Sequence, residues 1–207
     1  MKKKAMQKQA GKFCRIMLAG SLMCWMGAAQ AQNATVPAVS LRLLLGGALE
    51  LGGDKVAEIF FTNGESQFVR AGQGITGFAG AELRFRDLRP LVLRGSAGIK
   101  YVTTAADNAH IRLTRFPLAL TAGWMLTPDL RLSAGLVTHR AIRFRADGIG
   151  SDLNFEPATG AVFEVAWKGL GFSFAPLTYA DEFGESYSAR AFGITYSGVV
   201  KLRKGEE

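Results

Sequence analysis

The sequence predicts an all-β protein, an eight-stranded antiparallel transmembrane up-and-down β-barrel with a protruding extracellular β-hairpin. Three observations predict it. A two-residue hydrophobic beat returns in eight segments, short turns alternate with longer polar links, and an export signal opens the chain.

The signal comes first. Residues 1–15 carry Lys2, Lys3, Lys4, Lys8, Lys12 and Arg15 and no acid, Ile16 to Ala29 is apolar, and Ala29-Gln30-Ala31 is a small-x-small cleavage site. This is the layout of a secretory signal peptide, so residues 1–31 are expected to be cleaved and 32–207 to form the barrel domain. The apolar stretch is short of the roughly 20 residues that a spanning helix needs. Met23 before Cys24 is too large for lipoprotein processing. The formal charge of +8 includes the six signal cations, which leaves +2 on the mature chain. The basicity therefore belongs mainly to the address, and no nucleic-acid partner is expected. Cys14 and Cys24 also leave with it, and with them any disulfide, thiolate nucleophile or cysteine metal site.

The strands follow in order. From Leu41 to Leu51, the residues Leu41, Leu43, Leu45, Gly47, Leu49 and Leu51 share one face, and Arg42, Leu44, Gly46, Ala48 and Glu50 the other. Ile75–Arg86 sets Ile75, Gly77, Ala79, Ala81, Leu83 and Phe85 against Thr76, Phe78, Gly80, Glu82, Arg84 and Arg86. Leu91–Val102 opposes Leu91, Leu93 and Ile99 to Arg94, Ser96 and Lys100. In Phe116–Leu126 the apolar face holds Phe116, Leu118, Leu120, Trp124 and Leu126. Leu130–Phe144 places Leu132, Leu136, Arg140, Ile142 and Phe144 opposite Arg131, Ser133, His139 and Arg143. Thr159–Lys168, Leu170–Tyr179 and Ser188–Leu202 complete the eight.

Asp87-Leu88-Arg89-Pro90, Thr127-Pro128-Asp129 and Lys168-Gly169 are expected as tight turns. The longer links are 52–74, 103–115, 145–158 and 180–187. Outer-membrane barrels put short turns in the periplasm and long loops outside the cell. The first long link reads as a hairpin, with Val56–Phe61 and Gln67–Arg70 flanking Thr62-Asn63-Gly64-Glu65.

An alternating sheet also suits a soluble barrel with its apolar face inward. Charges are nearly absent from the apolar faces over about 10 residues per segment, which is a membrane-crossing length. Small residues crowd the polar faces, and Phe85, Tyr101, Phe116, Trp124, Phe144 and Trp167 sit toward segment ends, as interfacial aromatics do. The expected interior set is Arg42, Glu50, Glu82, Arg84, Arg94, Lys100, Arg131, His139, Arg143 and Glu164. An interior this narrow is filled by side chains, and mutual Arg–Glu bonding removes most of the cost of burying them. A plugged or very narrow lumen is expected.

In this layout the chain resembles the small outer-membrane β-barrel proteins, the eight-stranded group that includes the outer-membrane protein A membrane domain and the outer-membrane proteins X and W. The likeness spans the mature chain and rests on architecture. Gly52-Gly53-Asp54-Lys55, Arg70-Ala71-Gly72 and Arg115-Phe116-Pro117-Leu118 look like recurring phrases of one branch of that group. The resemblance implies outer-membrane lipids and lipopolysaccharide as surroundings, the barrel-assembly machinery as a biogenesis partner, and no cofactor. It departs at the end, where such barrels close on an aromatic residue. Here either the last strand runs to Leu202 before a charged tail, or Tyr196 stands in for that residue.

Some small barrels are lipid-active enzymes, and acyl hydrolysis needs a nucleophile within reach of a base. Lipid A deacylases carry His-x-Ser-Asn, whereas His139 is followed by Arg140-Ala141-Ile142. His110 sits beside Asp107 in an expected outer loop, Gly150-Ser151-Asp152 reads as turn chemistry, and Asp181, Glu182 and Glu185 as loop acids. No catalytic, cofactor-binding or metal residue is assigned. The expected function is a structural or surface-interaction barrel, with a lipid-active enzyme or a conduit for small hydrophobic molecules as the alternative.

Overall fold

The computed structural model describes residues 39–60, 66–106, 109–146 and 151–201. The signal peptide 1–31, the Thr62–Glu65 turn, Asp107, Gly150 and the chain from Leu202 onward lie outside these described residues.

The strands are β1 (Val39–Leu51), β2 (Lys55–Phe60), β3 (Ser66–Arg70), β4 (Gly74–Phe85), β5 (Leu91–Ala106), β6 (Ala109–Met125), β7 (Leu130–Arg145), β8 (Leu153–Phe155), β9 (Ala158–Trp167), β10 (Leu170–Ala175), β11 (Thr178–Ala180), β12 (Ser186–Ser188) and β13 (Ala191–Lys201). Eight of them, β1, β4, β5, β6, β7, β9, β10 and β13, form a ring in which each is antiparallel to both neighbours. A closed ring leaves no wall strand with unpaired N–H and C=O groups, which is the condition for crossing hydrocarbon.

The short connections 86–90, 126–129 and 168–169 gather at one end of the ring, and β1 begins and β13 ends there too. At Lys168-Gly169 both residues have positive φ, 51° and 91°, the conformation whose twist matches a two-residue hairpin. The opposite, loop end carries the smaller sheets β2–β3 and β11–β12. The expected hairpin strands are therefore paired, with Glu58 opposite Phe68 and Ile59 opposite Gln67.

The alternation sorts side chains as the sequence expects, with apolar residues outward. Leu41, Leu45, Leu49, Ile75, Ile99, Leu120, Leu136, Phe163, Phe172 and Ile194 are all exposed, and Leu120 is 67% exposed. Trp124, Leu126, Trp167 and Leu170 form the rim at the turn end. Charged Glu82, Lys100 and Arg131 are buried on the other face. Such a sheet is stable only with hydrocarbon outside. With eight strands closed into a ring and an apolar outer face, the protein is an outer-membrane β-barrel.

Three expectations are corrected. The link expected at 103–115 is mostly strand, since Thr103–Ala106 pair with Ala109–Arg112. The two-residue beat persists there, but polar Arg112 and Thr114 replace apolar residues on the outer face, which disguised the strand. The segment expected to run from Leu170 to Tyr179 is interrupted at Pro176-Leu177, because proline brings no N–H to the ladder. Across from it, Ser188 belongs to β12 and the wall strand starts at Ala191.

The third correction is in β7. Ile142 and Phe144, expected outward, are buried, and Arg143, expected inside, is exposed. The register shifts between Thr114 and Phe116, which pair with Arg143 and Arg140, so Ala141 and Ile142 together oppose Arg115. This β-bulge reverses the phase of every residue beyond it. Ala141 holds it with φ of 46°, a left-handed conformation that costs an alanine about 1–2 kcal/mol.

Candidate functional site

The lumen and its cap gather most of the buried polar groups. Near the turn end, Glu82 is fully buried and accepts hydrogen bonds from Arg84 Nε at 2.7 Å, Arg94 Nε at 2.8 Å and Arg94 Nη2 at 2.6 Å. Arg94 Nη1 also donates to Ser197 Oγ at 3.1 Å. On the facing wall Arg131 pairs with Glu164, which also accepts from Thr195 Oγ1 at 2.9 Å, and Arg131 Nε donates to Ser133 Oγ at 2.9 Å. Each carboxylate thus binds guanidinium groups of its own or the neighbouring strand, in the Arg–Glu arrangement that the sequence predicts.

Above them lies a cavity of about 140 Å³, lined by Leu44, Phe78, Ala119, Thr121, Val137 and Val162 among others. The Phe78 ring occupies the space over Gly46, where an added Cβ would stand 2.4 Å from Cζ. Gly46 is therefore required by this close approach.

Toward the loop end, Glu50 accepts from Thr76 Oγ1 at 2.6 Å and pairs with Lys100 Nζ at 3.1 Å. Lys100 Nζ donates in addition to the carbonyl of Gly72 at 2.7 Å. Arg115 is 0% exposed and donates to the carbonyls of Ala71 and Gln73. Two buried cations thus bind three successive carbonyls of the segment joining β3 to β4. His139 Nδ1 shares a 2.5 Å hydrogen bond with the hydroxyl of Tyr179.

Over this polar tier sits an apolar core of Val69, Ala71, Ile111, Leu113, Ile142, Phe144, Phe155, Leu177 and Tyr179. The Phe155 ring contacts Tyr179 and Tyr187 at centroid distances of 6.0 Å and 5.7 Å. The β7 bulge supplies this core by turning Ile142 and Phe144 inward. Burial of each such side chain contributes about 1.5–3 kcal/mol.

Of the expected interior set, Glu82, Lys100, Arg131 and His139 are buried. Arg42, Glu50, Arg84, Arg94 and Glu164 are partly buried, and Arg143 is outside. Arg115 was missed. It falls in an expected loop, although it shares parity with the inward-facing Pro117 and Ala119, and extending the Phe116–Leu126 beat by one residue reaches it.

His110 lies in β6, paired with Ala105. Asp152 Oδ1 accepts from the N–H of Ala146 at 2.9 Å, which is turn chemistry. Asp181 Oδ1 accepts from the N–H groups of Phe183 and Glu185 at 2.9 and 2.8 Å, so it organises the β11–β12 turn. Glu185 Oε2 accepts from the Tyr187 hydroxyl at 2.9 Å, and this bond raises the phenol above its ordinary pKa.

No family profile matches the chain. No curated protein matches it at a significant level. Solved structures similar to it include Neisserial surface protein A, NspA, at 13% identity and a TM-score of 0.45, covering 80% of this chain and 99% of that one. Another is Ail, the attachment invasion locus protein of Yersinia pestis, in complex with the heparin analogue sucrose octasulfate. It has 7% identity and a TM-score of 0.41, covering 77% of this chain and 99% of that one.

Proposed function

We propose that this protein is a non-enzymatic barrel of structural or surface-interaction type, whose interior is filled by side chains and forms no open pore. The loop end, with the β2–β3 hairpin, faces the cell exterior, where it meets lipopolysaccharide and external partners. Residues 1–31 deliver the chain to the periplasm, and the barrel-assembly machinery inserts it. The observation that carries the closed-lumen reading is the seal at the loop end. Lys100 and Arg115 bind the Ala71–Gln73 carbonyls beneath a continuous apolar core. An ion passing through would have to displace those cations from buried acceptors and then cross hydrocarbon side chains, both costly steps.

The alternative, a lipid-active enzyme or a conduit for small hydrophobic molecules, finds less support. His139 is buried, and its recorded hydrogen bond goes to a phenol, where acyl transfer requires a nucleophile beside the base.

Planar-bilayer recording tests the reading. The refolded protein is expected to give no steady openings, while the Lys100→Ala/Arg115→Ala variant gives small ones. Steady large openings from the unaltered protein would overturn the closed interior. Loss of a lipid A modification in host mass spectra on His139→Ala would revive the enzyme.

A further inference from the structure

The strand that departed from expectation exposes a site. Beyond the Ala141 bulge, β7 turns Arg143 outward, beside the exposed Arg140. On β6, Arg112 is exposed and stands directly opposite Arg145. Antiparallel partners share a face, so four guanidinium groups lie on one stretch of the outer wall. Like charges directly opposite each other destabilise a sheet. Arg145 is relieved by Asp152 at 3.4 Å and by Asn154 Oδ1 at 3.3 Å. Arg112, Arg140 and Arg143 form no ion pair among the described residues, and the exposed Glu156 lies beyond pairing distance.

Their height on the wall identifies what they meet. Leu132 pairs with Trp124 in the turn-end rim, and Arg140 pairs with Phe116, eight residues further along both strands. With a rise of about 3.4 Å per residue and a tilt near 40°, Arg140, Arg143 and Arg112 stand roughly 20–30 Å above that rim. The apolar band of such barrels is about 25 Å tall. The three arginines therefore straddle its upper edge, with Arg140 level with exposed Phe116 and Arg143 and Arg112 above it, all over exposed Leu118 and Leu120.

We propose that this wall is a binding site for the phosphate groups of lipid A in the outer leaflet. The acyl chains lie against Phe116, Leu118 and Leu120, and Arg112, Arg140 and Arg143 donate to the phosphates. Guanidinium suits this role because its planar fork donates two parallel hydrogen bonds to phosphate oxygens. The bulge belongs to the site, since in an uninterrupted strand Arg143 would point into the lumen. The proposal rests on the outer-membrane setting, and it is independent of whether the lumen is closed.

The test is native mass spectrometry of the refolded full mature chain, after exchange into phosphatidylcholine vesicles containing bisphosphorylated lipid A, dephosphorylated lipid A or phosphatidylglycerol. Bisphosphorylated lipid A is expected to remain bound and the other two to be lost. Each arginine near a charged surface contributes enough for about a fivefold effect, so R112Q/R140Q/R143Q should weaken retention on the order of a hundredfold. Arg86→Gln/Arg89→Gln, at the turn end, should leave it unchanged. Folding of every variant is checked by heat-modifiable gel mobility, and R143Q alone serves if the triple variant does not fold. Retention unaltered in the arginine variants overturns the site, and so does equal retention of phosphatidylglycerol. Steady conductance would refute the closed lumen without touching this result.

Discussion

Replacing Glu82 with glutamine probes the lumen network at its most buried acid. The carboxylate is 0% exposed and receives three hydrogen bonds from Arg84 and Arg94. Removing one member of a buried ion pair costs about 3–5 kcal/mol, because the remaining charge stays desolvated. Two features reduce this. Arg94 keeps its 3.1 Å bond to Ser197, and it lines the 140 Å³ cavity, which has room for water. The Arg84 side chain is 29% exposed, so screening leaves its pair with well under about 1 kcal/mol. The expected loss is about 2–3 kcal/mol for Glu82→Gln. It is read as a shift in the urea midpoint of the barrel refolded in lipid vesicles, at unchanged slope. Arg94→Leu alone and Glu82→Gln/Arg94→Leu complete a cycle, in which the double variant should be more stable than the sum of the singles by at least about 1 kcal/mol. If Glu82→Gln changes stability by less than about 0.5 kcal/mol, or the cycle shows no coupling, the network does not hold the walls together.

Three further outcomes are expected. Leu120→Arg, in the middle of the exposed belt, should cost about 2–4 kcal/mol in vesicles, while Leu126→Arg at the turn-end rim should cost about 0–1 kcal/mol. Equal effects would mean that water, not lipid, covers this wall. Gly135→Ala would place a Cβ 2.1 Å from the Leu120 carbonyl, whereas Gly77→Ala meets nothing within 4 Å. Urea titration should then show a loss of about 1–3 kcal/mol for the first and under about 0.5 kcal/mol for the second. Tyr187 should ionise above the ordinary phenol value because its bond to Glu185 favours the protonated form. The stabilisation from that bond is present at neutral pH and is lost as pH rises through the raised value. Phenolate absorbance should titrate earlier in Glu185→Gln, and an unchanged titration would remove the bond's role.

The sequence alone determined the closed ring of eight strands and which face meets lipid. Both follow from local physics, since a two-residue beat assigns every side chain of an extended strand to one face or the other, as along Leu41–Leu51. It also called for an interior network of bonded Arg and Glu side chains, because buried charges need partners, and the structure chose the pairs, such as Glu82 with Arg94. What escaped it lies at the loop end. Above the belt, the outer face of β6 turns polar at Thr114 and Arg112, so the signal that marks a strand fades while its hydrogen-bonding ladder continues. Tertiary structure alone decided the bulge at Ala141. No glycine announces that left-handed residue, and its compensation comes from burying Ile142 and Phe144 against distant Phe155, Leu177 and Tyr179. Reversing the phase there put Arg143 on the outer wall and closed an apolar core over the lumen. Only contacts between residues far apart in the chain could have settled that choice.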